Sequence, residues 1–350
     1  MKTKKYLPIL TAFWLSTWNA SAQIVIDTVL VGNAGNAAQS SANRNHAQSG
    51  GDGFGSVSYD YHIGTHEVTN AQYTAFLNAV AASDPHGLWN TNMGSIDRAG
   101  ISRSGSSGSY TYSVRTATSG YNNGQSMGNM PVNYVSFWDA ARFTNWLTTG
   151  DTETGVYNLD PTGIANNTIT RDASAWAAGG VAIASENEWY KAAYYDPTLD
   201  SGTGGYWLYA TQSDTAPTAT APNNTDANSV NGDGSLSPDS DNVTPVGGYE
   251  VASSFYGTFD QSGNVWEWND DIFSSNRVWR GGAFNNVDFI LQSSFRDELD
   301  PAFETSTIGF RVSSLVAIPE PSTILMFALT GLAIGITPLY RRFRLGKGLR

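Results

Sequence analysis

Residues 257–271 read GTFDQSGNVWEWNDD, and the architecture of the chain turns on them. Asp260 to Gly263 spell a turn, because an Asp side chain can bond its own backbone two residues on and glycine accepts a positive φ. Asn264 to Trp268 then alternate as a strand does, with Trp266 and Trp268 on one face and Val265 and Glu267 on the other. Two indoles on one face need a thick apolar layer. On the opposite face Glu267 can point back toward Asp260, and the carbonyls of Gly263 and Val265 can face the same gap. Carboxylates and peptide carbonyls at short range suit a hard cation such as Ca²⁺, which takes about six to eight oxygens, so partners or waters must complete the set. The alternative is a Trp-rich strand behind an Asx turn that binds no metal.

The bulk composition narrows the function classes. Aromatic residues are plentiful, with 11 Trp, 17 Tyr and 15 Phe in 350 residues, enough for a substantial core. Setting aside the basic ends (Lys2, Lys4, Lys5, Arg341, Arg342, Arg344, Lys347 and Arg350) leaves 11 basic against 31 acidic residues, and Lys191 as the one remaining lysine. Such a surface repels phosphate backbones, so no nucleic-acid partner is expected. The chain has no cysteine. Disulfides, thiol nucleophiles and thiolate metal sites are excluded together.

Both ends read as addresses. Residues 1–22 carry a basic start, an apolar run and the small-residue pattern Ala20-Ser21-Ala22, as a secretory signal peptide does. Near the other end, Ile324 to Tyr340 is an uncharged run whose helix would be roughly 26 Å long, enough to cross a bilayer. The Arg-rich tail after it should stay on the cytoplasmic side, leaving the rest of the chain outside.

Between the ends, hydroxyl caps announce three helices: Thr69 with Gln72, Ser136 with Asp139, and Ser185 with Glu188. Apolar residues follow each at helical spacing, notably Tyr73, Phe76, Leu77 and Val80, then Ala140, Phe143 and Leu147, then Trp189, Ala192 and Ala193. Asp84-Pro85 and Asp196-Pro197 stop the first and third. Strand character is expected at 24–32, 57–67 and 110–114, and long loops at 33–55 and 198–241. His62 and His66 lie about 13 Å apart along a strand and cannot share one ion. No Pro-rich or charge-run linker divides residues 23–314, which reads as one domain.

Several ordered blocks resemble the formylglycine-generating enzyme (sulfatase-modifying factor) family. They are HEVTNAQYTAFL from His66, MPVNYVSFWDAARFTNWL from Met130, SENEWYKAAYY from Ser185, the 257–271 stretch, RGGAF from Arg280 and IGFRV from Ile308. The resemblance runs from about Val29 to Val312. It implies an α+β, C-type-lectin-like fold, a single large domain with little regular structure and long ordered loops. It also implies calcium ligands at Asp260, Gly263, Val265 and Glu267, and a second site at Asn228 and Ser229 with Asp239 or Asp241. Arg280, Arg296 and Arg311 match family arginines, which either line the substrate groove or pair with buried carboxylates. The family's copper-binding cysteines fall near Asn286 and Leu291, neither of which can be a soft, deprotonated ligand. Copper and formylglycine-generating oxidase activity are therefore not expected. Related sulfoxide synthases hold iron on three histidines, and none of the four here (His46, His62, His66, His86) has ligand spacing.

At the C-terminal end, Pro319-Glu320-Pro321, the apolar span and the basic tail (residues 315–350 together) resemble the PEP-CTERM sorting signal of Gram-negative, exopolysaccharide-making bacteria. That implies an exosortase and a signal peptidase as processing enzymes and a place at the cell surface or in the extracellular matrix. A single-span tail anchor is the alternative, and it too leaves the globular part outside. The function expected is a non-catalytic module that binds extracellular polysaccharide or protein. The alternative is a metal-dependent oxidoreductase with non-thiol chemistry in the same groove.

Overall fold

Strands from the two ends of the domain lie side by side. Val312–Ser314 pairs antiparallel with Tyr61–Gly64 on one edge and with Ala182–Ile183 on the other, and Thr28–Val31 completes this sheet beyond Tyr61–Gly64. The computed structural model describes residues 24–40, 53–120, 122–222, 225–232 and 242–318. The proposed signal peptide, Pro319-Glu320-Pro321, the apolar span, His46 and Asp241 lie outside the described residues. Among the described residues, no helix is long and apolar enough to cross a membrane.

The second sheet is built on Trp266–Phe273. That strand pairs antiparallel with Asn276–Arg280, which carries Asp297–Leu299 on its outer side, and parallel with Ile308–Phe310. The sequence places the strand end at Trp268, whereas the ladder continues to Phe273 through a register shift between Trp268 and Ile272. The polar residues Asn269-Asp270-Asp271 follow the alternating stretch. They stay in the strand because Asp270 is taken up by Arg171 at 2.7 Å and Arg277 at 3.3 Å.

All three hydroxyl caps form reciprocal capping boxes, on helices Asn70–Val80, Phe137–Thr149 and Glu186–Tyr194. The apolar faces of the first two meet in the main core, where Phe76 and Phe143 pack edge to face and Phe143 reaches Phe310 of the second sheet. Trp268 is fully buried against Phe137, its indole N–H donating to the Val135 carbonyl at 3.0 Å. A short helix not anticipated from the sequence, Pro161–Asn166, starts where the Asp160 carboxylate accepts the N–H groups of Thr162 and Gly163. Proline at its first position needs no hydrogen-bond partner there, so this Asp-Pro is a helix start rather than a helix stop. The strand expected over 24–32 contracts to Thr28–Val31, and the described residues of the 198–241 stretch hold the short helix Leu199–Gly202 and brief pairings such as Thr218–Ala219 with Ser229–Val230.

Candidate functional site

The alternation of the central strand places Glu267 on the face opposite Trp266 and Trp268, as the sequence predicts, but its carboxylate is committed. Arg311 Nε lies 2.6 Å from Glu267 Oε2 and Arg311 Nη2 lies 2.7 Å from Oε1, while the Trp189 indole N–H donates to Oε2 at 2.8 Å. Both charged side chains are fully buried. Arg311 spends its remaining donors on the carbonyls of Gly64 at 3.0 Å, Thr65 at 3.3 Å and Phe259 at 2.9 Å. One guanidinium thus ties the two sheets to the turn before Asp260. Burial, the largest single influence, would lower the Arg311 pKa, but Glu267, Glu67 and Asp260 together raise it above its ordinary value.

Asp260 is half-buried, at φ 64°, its Oδ2 accepting the Gly247 N–H at 2.6 Å. Burial pushes its carboxyl up to about 6. Facing it is Glu67, 2 % exposed, whose Oε1 accepts the Asn264 amide at 3.0 Å and whose Oε2 has no donor. Burial first, and Asp260 second, raise Glu67 well above the carboxylate range. Gly263 occupies φ 109°, and a Cβ there would overlap the Asn231 carbonyl, so glycine is required on both counts. Val265 is fully buried behind it.

Glu67, Asp260 and Glu267 set three carboxyl groups against the one guanidinium of Arg311, and with the Glu67 oxygen that has no donor this fits a hard cation at Asp260. Among the described residues, however, no three His, Asp or Glu side chains are gathered closely enough to cage an ion by themselves. Backbone carbonyls would have to complete the set. At the second expected calcium position, Asn228 closes a turn, its Oδ1 accepting from the Thr211 hydroxyl at 2.6 Å and its amide donating to the Thr215 and Ala216 carbonyls at 3.1 and 3.2 Å.

The other two family arginines meet at Glu186. Arg280 Nε and Arg296 Nε each lie 2.8 Å from Glu186 Oε1, and Arg280 also donates to the Ser293 and Phe295 carbonyls at 3.0 and 2.9 Å. Arg280 is fully buried. Only Arg296 approaches the surface, where it stacks 4.7 Å over the Phe273 ring. Of the two alternatives open in the sequence, Arg280 and Arg311 therefore hold buried carboxylates and loop carbonyls.

At the positions implied for the copper cysteines, Leu291 belongs to the interior and Asn286 is half-buried. Leu291 is 1 % exposed and packs with Tyr209 and Val230. A Cβ added to Gly232 would lie 2.8 Å from Leu291 Cδ1 and 3.4 Å from the Asn286 carbonyl oxygen, so both positions converge on that glycine. The Asn286 side chain accepts the Ala283 N–H at 2.9 Å. Neither residue presents a soft ligand, and copper does not fit.

Across residues 19–315 the chain matches the sulfatase-modifying factor enzyme 1-like domain, FGE-sulfatase. The chain belongs to the FGE-sulfatase family. Among solved structures, the FGE-sulfatase fold here is similar to the crystal structure of CarF, with 20% identity, a TM-score of 0.50, and 83% of this chain and 99% of that one covered. PvdO from Pseudomonas aeruginosa matches at 17% identity and a TM-score of 0.42, over 74% of this chain and 82% of that one. Treponema denticola variable protein 1 matches at 17% identity and a TM-score of 0.41, over 85% and 97%. None of the curated proteins matches. The mixed α/β single domain with few helices is thus the FGE-sulfatase fold.

Sequence reading missed the ionic framework of this FGE-sulfatase domain. Arg171 bridges Glu188 at 2.8 Å and Asp270 at 2.7 Å, and Arg277 reaches Asn167 at 2.7 Å. The capping residue Glu188 thereby does a second task inside the protein, bonding the Ser313 hydroxyl at 2.9 Å as well. Glu67 was visible inside the HEVTN block, but nothing local distinguishes a buried glutamate from a solvated one.

Proposed function

We propose that this protein is an exported, surface-anchored FGE-sulfatase-like domain that has no oxidase chemistry and serves as a binding module for glycan or protein outside the cell. The observation that carries the proposal is Leu291, a buried aliphatic side chain where the family resemblance implies a copper thiolate. With no cysteine anywhere in the sequence, no other residue can supply that ligand. Export rests on the signal-peptide pattern, and anchoring on the Pro-Glu-Pro, apolar and basic series, with signal peptidase and an exosortase as the processing enzymes. Calcium belongs to the same proposal as a structural ion. Held by Asp260, Glu267 and the carbonyls of Gly263 and Val265, it would neutralise buried carboxylate charge and hold the turn; it would supply no reaction.

Metal analysis of the purified ectodomain after removal of loosely bound ions tests this reading. Calcium alone, with no conversion of cysteine to formylglycine on sulfatase peptides, is the expected result. Stoichiometric iron or copper accompanied by turnover would establish the oxidoreductase alternative instead.

A further inference from the structure

A cavity of about 530 Å³ opens between the start of helix Phe137–Thr149, the end of helix Pro161–Asn166, the turn joining Trp266–Phe273 to Asn276–Arg280, and the loop at residues 300–302. None of its lining residues is among those to which the family resemblance assigns a role, and its volume falls in the range of small-molecule sites, about 300–1,000 Å³. Trp138, 5 % exposed, forms part of its wall. Asn166, Ser275, Asn276 and Asp300 bring short polar side chains to it from three separate segments.

The chemistry of this lining is selective. No Lys, Arg or His is among the lining residues. The nearby cation, Arg277, is fully buried and occupied by Asp270, Asn167 and the Ile169 carbonyl. A phosphate, sulfate or carboxylate ligand would find no countercharge here, and the acidic chain as a whole repels it. Amides and a hydroxyl both give and accept hydrogen bonds, and a carboxylate accepts from adjacent hydroxyls. An indole beside such groups offers a surface for C–H contacts. Asp300 uses Oδ1 on the Ala302 N–H at 2.9 Å, which fixes the carboxylate at the wall of the cavity. Asn167 is saturated by the Ser275 and Asn276 carbonyls at 3.0 and 3.2 Å and so clamps the turn to the helix end. The wall is therefore tied across its segments before any ligand arrives, which lowers the ordering cost of binding.

We propose that this cavity is a binding site for neutral saccharide, with Asn166, Asn276 and Asp300 bonding sugar hydroxyls and Trp138 backing the ring. The inference rests on the binding-module reading above, and it names both the ligand class and the place.

The test uses the full chain and a panel of neutral hexose oligomers (cellohexaose, maltohexaose and mannohexaose), with polygalacturonate and dextran sulfate as charged counterparts, followed by titration calorimetry and tryptophan fluorescence. At least one neutral oligomer should bind and perturb the fluorescence, and neither polyanion should compete. Asn166→Ala and Asp300→Ala, both at exposed positions, should weaken binding about tenfold or more while melting like the wild type; tenfold corresponds to about 1.4 kcal/mol. Ala165→Trp, which fills the cavity from its rim, should abolish binding. Neutral saccharide bound equally well by all three variants would overturn the assignment of the cavity while leaving the module reading intact. Binding confined to the polyanions, or no saccharide binding beside capture of a defined protein, would overturn the ligand class. Turnover with a stoichiometric redox metal would remove the module reading itself.

Discussion

Arg311 and Glu267 form a two-pronged ion pair, 2.6 and 2.7 Å long, with neither side chain exposed to solvent. Removing one member leaves the other charged and buried, which costs about 3–5 kcal/mol. Glu267→Ala and Arg311→Met should each destabilise the domain by that order in urea denaturation with a chelator present, where no calcium contributes. The double variant should cost clearly less than the two singles combined. Simple additivity would show that the pair is not energetically coupled.

Asp139 and Glu304 make a second carboxyl pair, where Glu304 also takes the Asn90 amide. Burial first, and Glu304 second, push Asp139 up to about 7, against the Ser136 cap bonds and Arg142, itself engaged by Glu153 at 2.7 Å. An acid whose folded pKa is raised holds a proton that the unfolded chain, near pKa 3.9, has released. Its contribution is fully present below about pH 4 and is lost as pH rises through about 7. Asp139→Asn mimics the protonated form. Its melting temperature should exceed that of the wild type at pH 8, and the difference should shrink steadily as pH falls toward about 4. A constant difference across that range would count against a shared proton.

Leu291 fills the space beside Gly232 and Gly282. Leu291→Ala should cost about 2–5 kcal/mol, the range for deleting a buried Leu side chain. A loss under about 0.5 kcal/mol, the range of surface substitutions, would mean that the position is open rather than packed.

If calcium binds at the Glu67 and Asp260 carboxyl groups, thermal melts should rise with the logarithm of calcium concentration, since a ligand of the folded state stabilises by about 2.7 kcal/mol at a hundred times its Kd. Asp260→Asn keeps an acceptor for the Gly247 N–H but removes the charge. It should melt independently of calcium, and an undiminished calcium shift in that variant would place the ion elsewhere.

The three capping boxes were legible because each is written within four consecutive residues and depends on nothing distant. The Asp160-Pro161 helix start was equally local, and it went unread because the same dipeptide elsewhere ends helices. The strand from Trp266 was legible as far as its alternation lasted. Its continuation through Asp270 depends on Arg171, 99 residues away in the chain, which no local pattern reports.

Residue types alone determined that no thiolate chemistry is possible, that the core is aromatic, and where helices begin, because composition and short-range hydrogen bonding are properties of neighbours in sequence. Which charges would be buried together was decided only by the folded arrangement. Glu267 meets Arg311 rather than an open gap, and Glu186 gathers two arginines, because desolvated charges are tolerable only with partners that packing brings from distant segments.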